Sequence, residues 1–297
     1  MARKLIFLMN PLSGTRNKLN IKETLINALN EHGTPFEFIP TNAEGDYSFL
    51  ESRILEEQIR DVVIIGGDGT VSQVANSLRH LPVNFGVIPM GSGNGLALAA
   101  GIPLNPLQAL EVVLNGKASR IDAFTINGHF SCMLSGIGFD AKVAHDFSKQ
   151  KTRGLWTYIK LGAANFFRAK EYAFALRING KEIETEAYFI SIANGNQFGN
   201  HFTIAPKAML GDGLLDIVVV QKMNKFQLLL SVIYQIRYGD VQEGIFKKHG
   251  ILYYQVTEME LINKSLAPLH IDGDPHPTSP TFHIKVIPSA LSLIQPR

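Results

Sequence analysis

The sequence has 297 residues, 45% hydrophobic and 18% charged, a balance that excludes a disordered or fibrous chain and can fill the cores of two domains. Its 28 basic and 26 acidic residues leave a net charge of +2, so no global field draws it to nucleic acid, which is not expected as a partner. The single cysteine, Cys132, excludes an internal disulfide and a cysteine-rich zinc module; it reads as a buried small residue and favours a reducing, cytoplasmic setting.

In chain order, Leu5 to Met9 is a short apolar run closed by Asn10-Pro11 and reads as a buried strand. Ile21, Leu25, Ala28 and Leu29 fall at helical spacing before a stop at Gly33. Phe36 to Ile39 is a second strand, and Asp61 to Ile65 a third that runs straight into Gly66-Gly67-Asp68-Gly69-Thr70. A helix from about Val71 to Leu78 leads to a fourth strand, Asn84 to Ile88. Gly91-Ser92-Gly93-Asn94-Gly95 follows, and Leu96 to Ala100 looks helical. Such strand–loop–helix units predict an α/β domain with a parallel sheet, its ligand site beyond the carboxyl ends of the strands.

From about Ile121 the texture is β-rich. Ala173 to Ile178, Glu186 to Ala193, Leu215 to Val220, Gln255 to Ile262 and Phe282 to Ile287 read as strands separated by turn signals such as Asn179-Gly180. An antiparallel sheet domain is expected, with helical insertions near 155–169 and 225–237. The domain limits are placed at 1–122 and 123–297, with the last residues able to return to the first domain. Nothing approaches the roughly 18 consecutive apolar residues of a spanning helix. The expectation is a soluble, cytoplasmic protein, with transient contact at a membrane surface left open.

Three polar, glycine-containing loops follow strands: Asn10-Pro11-Leu12-Ser13-Gly14, Gly66 to Thr70, and Gly91 to Gly95. In a parallel sheet all three converge on one edge, where glycine lets backbone amides approach a polyanion and each following helix presents unpaired N–H groups. That arrangement suits a nucleoside triphosphate, although any single loop could merely be a tight turn. No G-x-x-x-x-G-K-[S/T] loop is present, and Gly91-Ser92-Gly93-Asn94-Gly95 lacks the dinucleotide-binding spacing. Asp68, the one acid of its loop, would repel phosphates unless a magnesium ion lay between them.

Together these three loops resemble the diacylglycerol kinase and sphingosine kinase family of lipid kinases. Gly136-Ile-Gly-Phe-Asp140-Ala, Ile192-Ala-Asn194-Gly, Gly211-Asp212-Gly213-Leu214 and Asp272-Gly273-Asp274 extend the resemblance, on the family's soluble bacterial branch, over essentially the whole chain. The resemblance implies a nucleotide-binding domain, a β-sandwich domain and an active site in the cleft between them. It also implies ATP and magnesium as cofactors. ATP would be bound by Asn10, Ser13, Gly14, Thr41, the loop Gly66, Gly67, Asp68, Gly69, Thr70, and the loop Gly91, Ser92, Gly93, Asn94. A second, structural magnesium would be held by the Asp212 carboxylate with main-chain oxygens of Met209 and Leu214. Asp140 would meet the polar end of the lipid.

A phosphoryl acceptor hydroxyl needs a base. Asp272 and Asp274, two residues apart, would share a side of an extended backbone, and a close pair would raise one pKa; alternatively Asp272-Gly273 is a hairpin turn. By resemblance the base is Asp274, in a motif that usually ends in glutamate, or Asp68, as in sphingosine kinases. His270 and His276 alternate with the two acids, but no matching ligand set suggests a transition metal, and both read as solvated loop histidines. Lys142 to Lys170 is basic, with an apolar stripe of Leu155, Ile159, Gly162 and Phe166. It reads either as a membrane-facing amphipathic segment or as a core-packed helix with a basic rim. The expected activity is transfer of the γ-phosphoryl group of ATP to a hydroxyl of a diacylglycerol or sphingoid-type lipid. Two competitors remain: an NAD-kinase-like small-molecule kinase and a non-catalytic nucleotide- or lipid-binding regulator.

Overall fold

Continuous apolar runs, rather than alternating ones, build the first sheet, because helices cover both of its faces. The computed structural model describes residues 3–10, 18–148, 169–199, 202–221 and 250–297. Its chain divides into two compact units, Met1–Ile121 with Ser289–Arg297, and Asp122–Pro288.

In the first unit the order is β1 (Leu5–Met9), α1 (Lys18–His32), β2 (Phe36–Pro40), α2 (Glu51–Glu56), β3 (Asp61–Gly66), α3 (Asp68–Leu78), β4 (Asn84–Pro89), α4 (Gly95–Ala99) and α5 (Pro106–Asn115). The strands pair in parallel in the order β2–β1–β3–β4, and Ser292 and Leu293 from the chain's end add a last parallel strand beside β4. Every residue of β3 is buried, as are Leu5 to Leu8. Helix α1 seats Leu25 and Leu29 and ends at Gly33, whose left-handed φ of 72° lets its amide close on the Leu29 carbonyl at 3.0 Å. Helix α5 starts from Asn105, whose Oδ1 accepts the amides of Leu107 and Gln108, with proline at its first position.

The amino edge of this sheet is tied off by side chains. Arg3 donates to Asp61 and to the carbonyls of Val113 and Leu114, 2.7 Å each, so its cation ends α5 where the helix dipole is negative. Asn84 bridges Asp61 and Ser292. Opposite it, the register Met9↔Ile65 and Gly66↔Pro89 brings the ends of β1, β3 and β4 to one carboxyl edge.

The second unit is antiparallel. Its elements are β5 (Lys117–Ile126), β6 (His129–Ser131), β7 (Leu134–Gly138), α6 (Phe139–Ser148), β8 (Tyr172–Ile178), β9 (Lys181–Ala193), β10 (Gln197–Gly199), β11 (Phe202–Thr203), β12 (Leu215–Gln221), β13 (Ile251–Val256), β14 (Glu258–Asn263), β15 (Leu269–Ile271), β16 (Asp274–His276) and β17 (Thr281–Gln295). The long β9 pairs β8 along its first half, and β7 and β12 along its second. Phe124, Ile137, Phe174, Ile190, Ile217 and Phe282 belong to its core.

Two local expectations change. The single run Gln255 to Ile262 is two strands broken at Thr257, where the chain leaves β12 for β8 and β17 and the Thr257 carbonyl accepts the Val286 amide. Helix α3 starts at Asp68 rather than near Val71, so three of the five residues Gly66–Thr70 belong to its first turn. An aspartate there is favoured by the helix dipole, and Gly67 supplies the extended residue before it. The proposed insertions at 155–169 and 225–237 lie outside the described residues, apart from Ala169.

Candidate active site

At the carboxyl edge of the first unit, two loops meet backbone to backbone. A Cβ on Gly91 would lie 2.6 Å from the Gly67 Cα, and one on Gly67 would lie 3.0 Å from the Gly91 Cα. Neither position has room for a side chain, so these glycines are required by the contact between loops. Asp68 then fastens the pair. Its Oδ2 accepts the Gly95 amide at 2.9 Å and its Oδ1 the Leu96 amide at 3.0 Å, holding the start of α4 against the start of α3. Asn94, at a left-handed φ of 54°, closes the third loop on itself: Gly91 donates its amide to Oδ1 at 2.7 Å, and Nδ2 donates to the Gly91 carbonyl at 3.0 Å. The Met90 amide bonds the Gly66 carbonyl at 2.8 Å.

Burial pushes the Asp68 carboxyl up from its ordinary value, and the Leu96 and Gly95 amides oppose that rise. These amides already compensate its charge, so the aspartate does not by itself demand a cation, contrary to the argument from sequence. The amides of Asp68 itself and of Asn94 also act on the carboxylate, so a cation there would share its oxygens with backbone donors. Asn10 joins the edge by donating from Nδ2 to the Thr70 hydroxyl at 2.9 Å. Thr41 is half-buried, its amide on the Met9 carbonyl, and sits beside the buried Tyr47. Ser92 and Gly93 are partly exposed on the same loop, and Gly69 lies in the first turn of α3.

In the second unit, Asp272 and Asp274 do not share one extended face. Ile271 pairs with Asp274 across a two-residue hairpin whose corners, Asp272 and Gly273, have φ of 49° and 87°. Both being positive is the requirement of a type I′ turn, which Asp-Gly meets readily. The turn reading therefore describes the local structure. Asp272 is drawn inward: its Oδ1 accepts the Ser131 hydroxyl at 2.8 Å and the Leu134 amide at 3.1 Å, and its own amide donates to the Leu134 carbonyl. Asp274 is exposed.

His270 is not a solvated loop residue; it is 1% exposed, with Nδ1 accepting the Gly273 amide at 3.2 Å and Nε2 standing 3.4 Å from Oδ2 of the buried Asp140. Its burial was hidden in the sequence because β15 has only three residues, too few to display a period. His276 is half-buried, and burial and the charge of the neighbouring His129 lower its pKa, with Asp274 opposing. Burial and the Asp140 charge raise the Tyr172 phenol. Cys132 is buried, and Asn194 ties its segment down by donating to the carbonyls of Asp122 and Cys132. Sequence reasoning missed Ser131, Tyr172 and the Leu134 amide; no local pattern marks any of them.

The Gly211–Leu214 turn folds its amides onto nearby carboxylates. Leu214 directs its amide at Asp212 Oδ1, 3.0 Å away, and the Gly213 amide goes to Asp122 Oδ2 at 2.7 Å. The Met209 side chain is exposed. Among the described residues no group of three or more histidine, cysteine, aspartate or glutamate side chains could hold a metal. The neighbouring Asp216 is nevertheless fully buried, and among the described residues its Oδ2 meets no hydrogen-bond criterion, its other oxygen being taken by Tyr253. Burial and the Asp212 charge push it up to about 6, while the Tyr253 hydroxyl, the Gln255 side chain and Lys207 oppose. An orphaned oxygen beside a second carboxylate fits a hard cation.

Residues 4–126 match the model of the diacylglycerol kinase catalytic domain, and residues 134–295 match that of the YegS C-terminal NAD kinase beta sandwich-like domain. The chain belongs to the diacylglycerol kinase family of lipid kinases. Among its relatives is a Xanthomonas euvesicatoria protein named "Probable lipid kinase YegS-like", 26% identical over 94% of this chain and 93% of that protein. A Staphylococcus carnosus protein named diacylglycerol kinase is 24% identical over 92% and 89%. The crystal structure of a Bacillus anthracis diacylglycerol kinase superposes with a TM-score of 0.76, at 20% identity, over 99% of this chain and 97% of that one. Family membership makes the chain a kinase, with an α/β unit followed by an antiparallel β-sandwich-like one. Ser13 and Gly14, and most of the basic stretch from Lys142 to Lys170, lie outside the described residues. Among the described residues no helix is long and apolar enough to cross a membrane.

Proposed function

We propose that the chain transfers the γ-phosphoryl group of ATP to a hydroxyl of a diacylglycerol or sphingoid-type lipid, with magnesium, at a membrane surface. The observation that carries this reading is the clasp of Gly66–Thr70 on Gly91–Gly95 at the carboxyl edge of a parallel sheet, since no side chain intrudes where the two loops touch. Helix α3 begins at that contact, so its first amides and its positive dipole end favour phosphate there.

In this reading the phosphates lie along Asn10, Ser13, Gly14, Gly66, Gly67, Gly69, Thr70, Gly91, Ser92, Gly93 and Asn94, with Thr41 nearer the nucleoside. Asp68 sets the spacing of the two loops through the Gly95 and Leu96 amides, and magnesium would share its oxygens with those donors. When bound, magnesium would neutralise phosphate charge. Asp212, with Asp216 and the carbonyls of Met209 and Leu214, would hold a second, structural ion. The acceptor hydroxyl gives its proton to a carboxylate as its oxygen bonds to phosphorus, and ADP leaves. Of the three candidates for that base, Asp274 is exposed, Asp272 is half-buried and Asp68 holds the two loops together. Asp274 is therefore the favoured base and Asp140 the acceptor contact.

The test is incubation of the full chain with magnesium and ATP on a total lipid extract and, separately, on NAD, with products read by mass spectrometry. A phosphorylated lipid is expected. Phosphorylated NAD alone would replace the reading with the small-molecule kinase, and ATP binding without any product would replace it with a regulator.

A further inference from the structure

The missing side chain of Gly136 makes room for two others. A Cβ there would overlap the Asp140 carboxylate and stand 2.6 Å from His270 Nε2. Asp140 comes from the first turn of α6, and His270 from β15, directly opposite Gly136 in the ladder. Asp140 is 6% exposed; its Oδ1 accepts the Ala141 amide at 2.7 Å, and its Oδ2 has no hydrogen bond among the described residues. That oxygen faces His270 Nε2 at 3.4 Å. On the other side of the ring, Nδ1 accepts the Gly273 amide. An accepting Nδ1 carries a lone pair, which puts the ring proton on Nε2, towards Asp140. Ser191, across the ladder from Gly136 on the other side, also keeps a buried hydroxyl without a partner among the described residues.

We infer that His270 is a positioning residue that fixes the Asp140 carboxylate for the acceptor hydroxyl and, through the Gly273 amide, holds the Asp272–Gly273 turn and the Asp274 that follows it in a set relation to that carboxylate. Its role in turnover rests on the lipid-kinase reading; its geometry does not. With one oxygen held by Ala141 and the ring proton beside the other, Asp140 keeps acceptor capacity for a lipid hydroxyl. Ser191 adds a second polar contact on that face of the sheet.

The test pairs a spectroscopic arm with a kinetic one. Long-range proton–nitrogen NMR of the histidine-labelled full chain, with no lipid present, should find His270 neutral with its proton on Nε2, and its resonances should move in Asp140→Asn. A proton on Nδ1, or resonances indifferent to Asp140→Asn, would overturn the proposal. In the kinetic arm, with dioctanoylglycerol in mixed micelles and magnesium ATP, His270→Ala should lower kcat about 10-fold or more while the KM for ATP stays within about twofold. His270→Gln, which keeps a donor towards Asp140, should recover part of the loss and serves if the alanine variant does not fold. In an Asp140→Asn background the His270→Ala loss should shrink to about threefold or less. Losses that multiply, or that appear only in the KM for ATP, would contradict it. If the native chain phosphorylates no lipid, the kinase reading falls, and the NMR arm alone decides whether His270 is set on Asp140.

Discussion

Glycine serves opposite ends in the two units. At Gly67 and Gly91 it lets backbone touch backbone, and the polar work passes to amides: Asp68 is held by two of them, and Asn94 closes its loop with two more bonds. At Gly136 it leaves room for side chains, and Asp140 and His270 fill it. In the first region those amides are spent on Asn94 and Asp68, and the start of α3 at the loop contact is the end suited to an anion. The second is a buried carboxylate with an oxygen to spare, suited to a neutral or cationic donor. A phosphoryl donor and a lipid acceptor require these two kinds of site.

If the first region works through Asp68, Asp68→Asn has the largest effect. Its amide nitrogen cannot accept, so one of the Gly95 and Leu96 amides is orphaned at about 1–3 kcal/mol, and any cation contact weakens. Turnover should fall by about 10³ or more while circular dichroism reports a folded chain; full activity would remove the aspartate from the account. Asp274→Asn tests the acceptor side. A lost base should lower kcat by about 10²–10⁴ with ATP affinity unchanged, and a change in KM alone would reassign the base. Gly136→Ala sharpens the comparison by displacing Asp140 and His270 without touching phosphate. Its kcat should fall by about 10², its stability by about 1–3 kcal/mol in urea denaturation, and its KM for ATP should not change.

Gly91→Ala is the matched change in the first region. Pressed on the Gly67 backbone, it should raise the KM for ATP about 10-fold and leave the lipid KM alone. Equal effects of both glycine variants on both substrates would erase the distinction. The smallest effect concerns pH. The folded pKa of Asp216, about 6, lies above its ordinary 3.8, so the native state binds that proton more tightly. In the chain stripped of divalent ions by a chelator, its contribution to stability is therefore full below about pH 4 and is lost as pH rises through about 6. Asp216→Asn should flatten that fall in melting temperature; an unchanged slope would place the titration elsewhere.

The comparison also divides what the sequence made readable. Convergence of the carboxyl ends of β1, β3 and β4 followed from alternating strand and helix signals, because parallel register puts successive carboxyl ends together. What Asp68 touches did not follow, since Gly95 and Leu96 are 27 and 28 positions away and any peptide amide can donate. The hairpin at Asp272-Gly273 was one of two local readings, and strand pairing on both sides decided it. The site of Asp140 and His270 was least readable: a glycine 134 positions upstream makes room for a histidine that looks, from its neighbours, like part of a solvated turn.

The most direct test of the central claim, that the clasped glycine loops hold the donor's phosphates, is amide chemical-shift mapping during titration with magnesium ATP, repeated with adenosine. The account predicts that the amides of Gly66–Thr70 and Gly91–Asn94 move most with the triphosphate and hardly at all with the nucleoside. Equal responses to both ligands, or triphosphate shifts centred elsewhere, would contradict it.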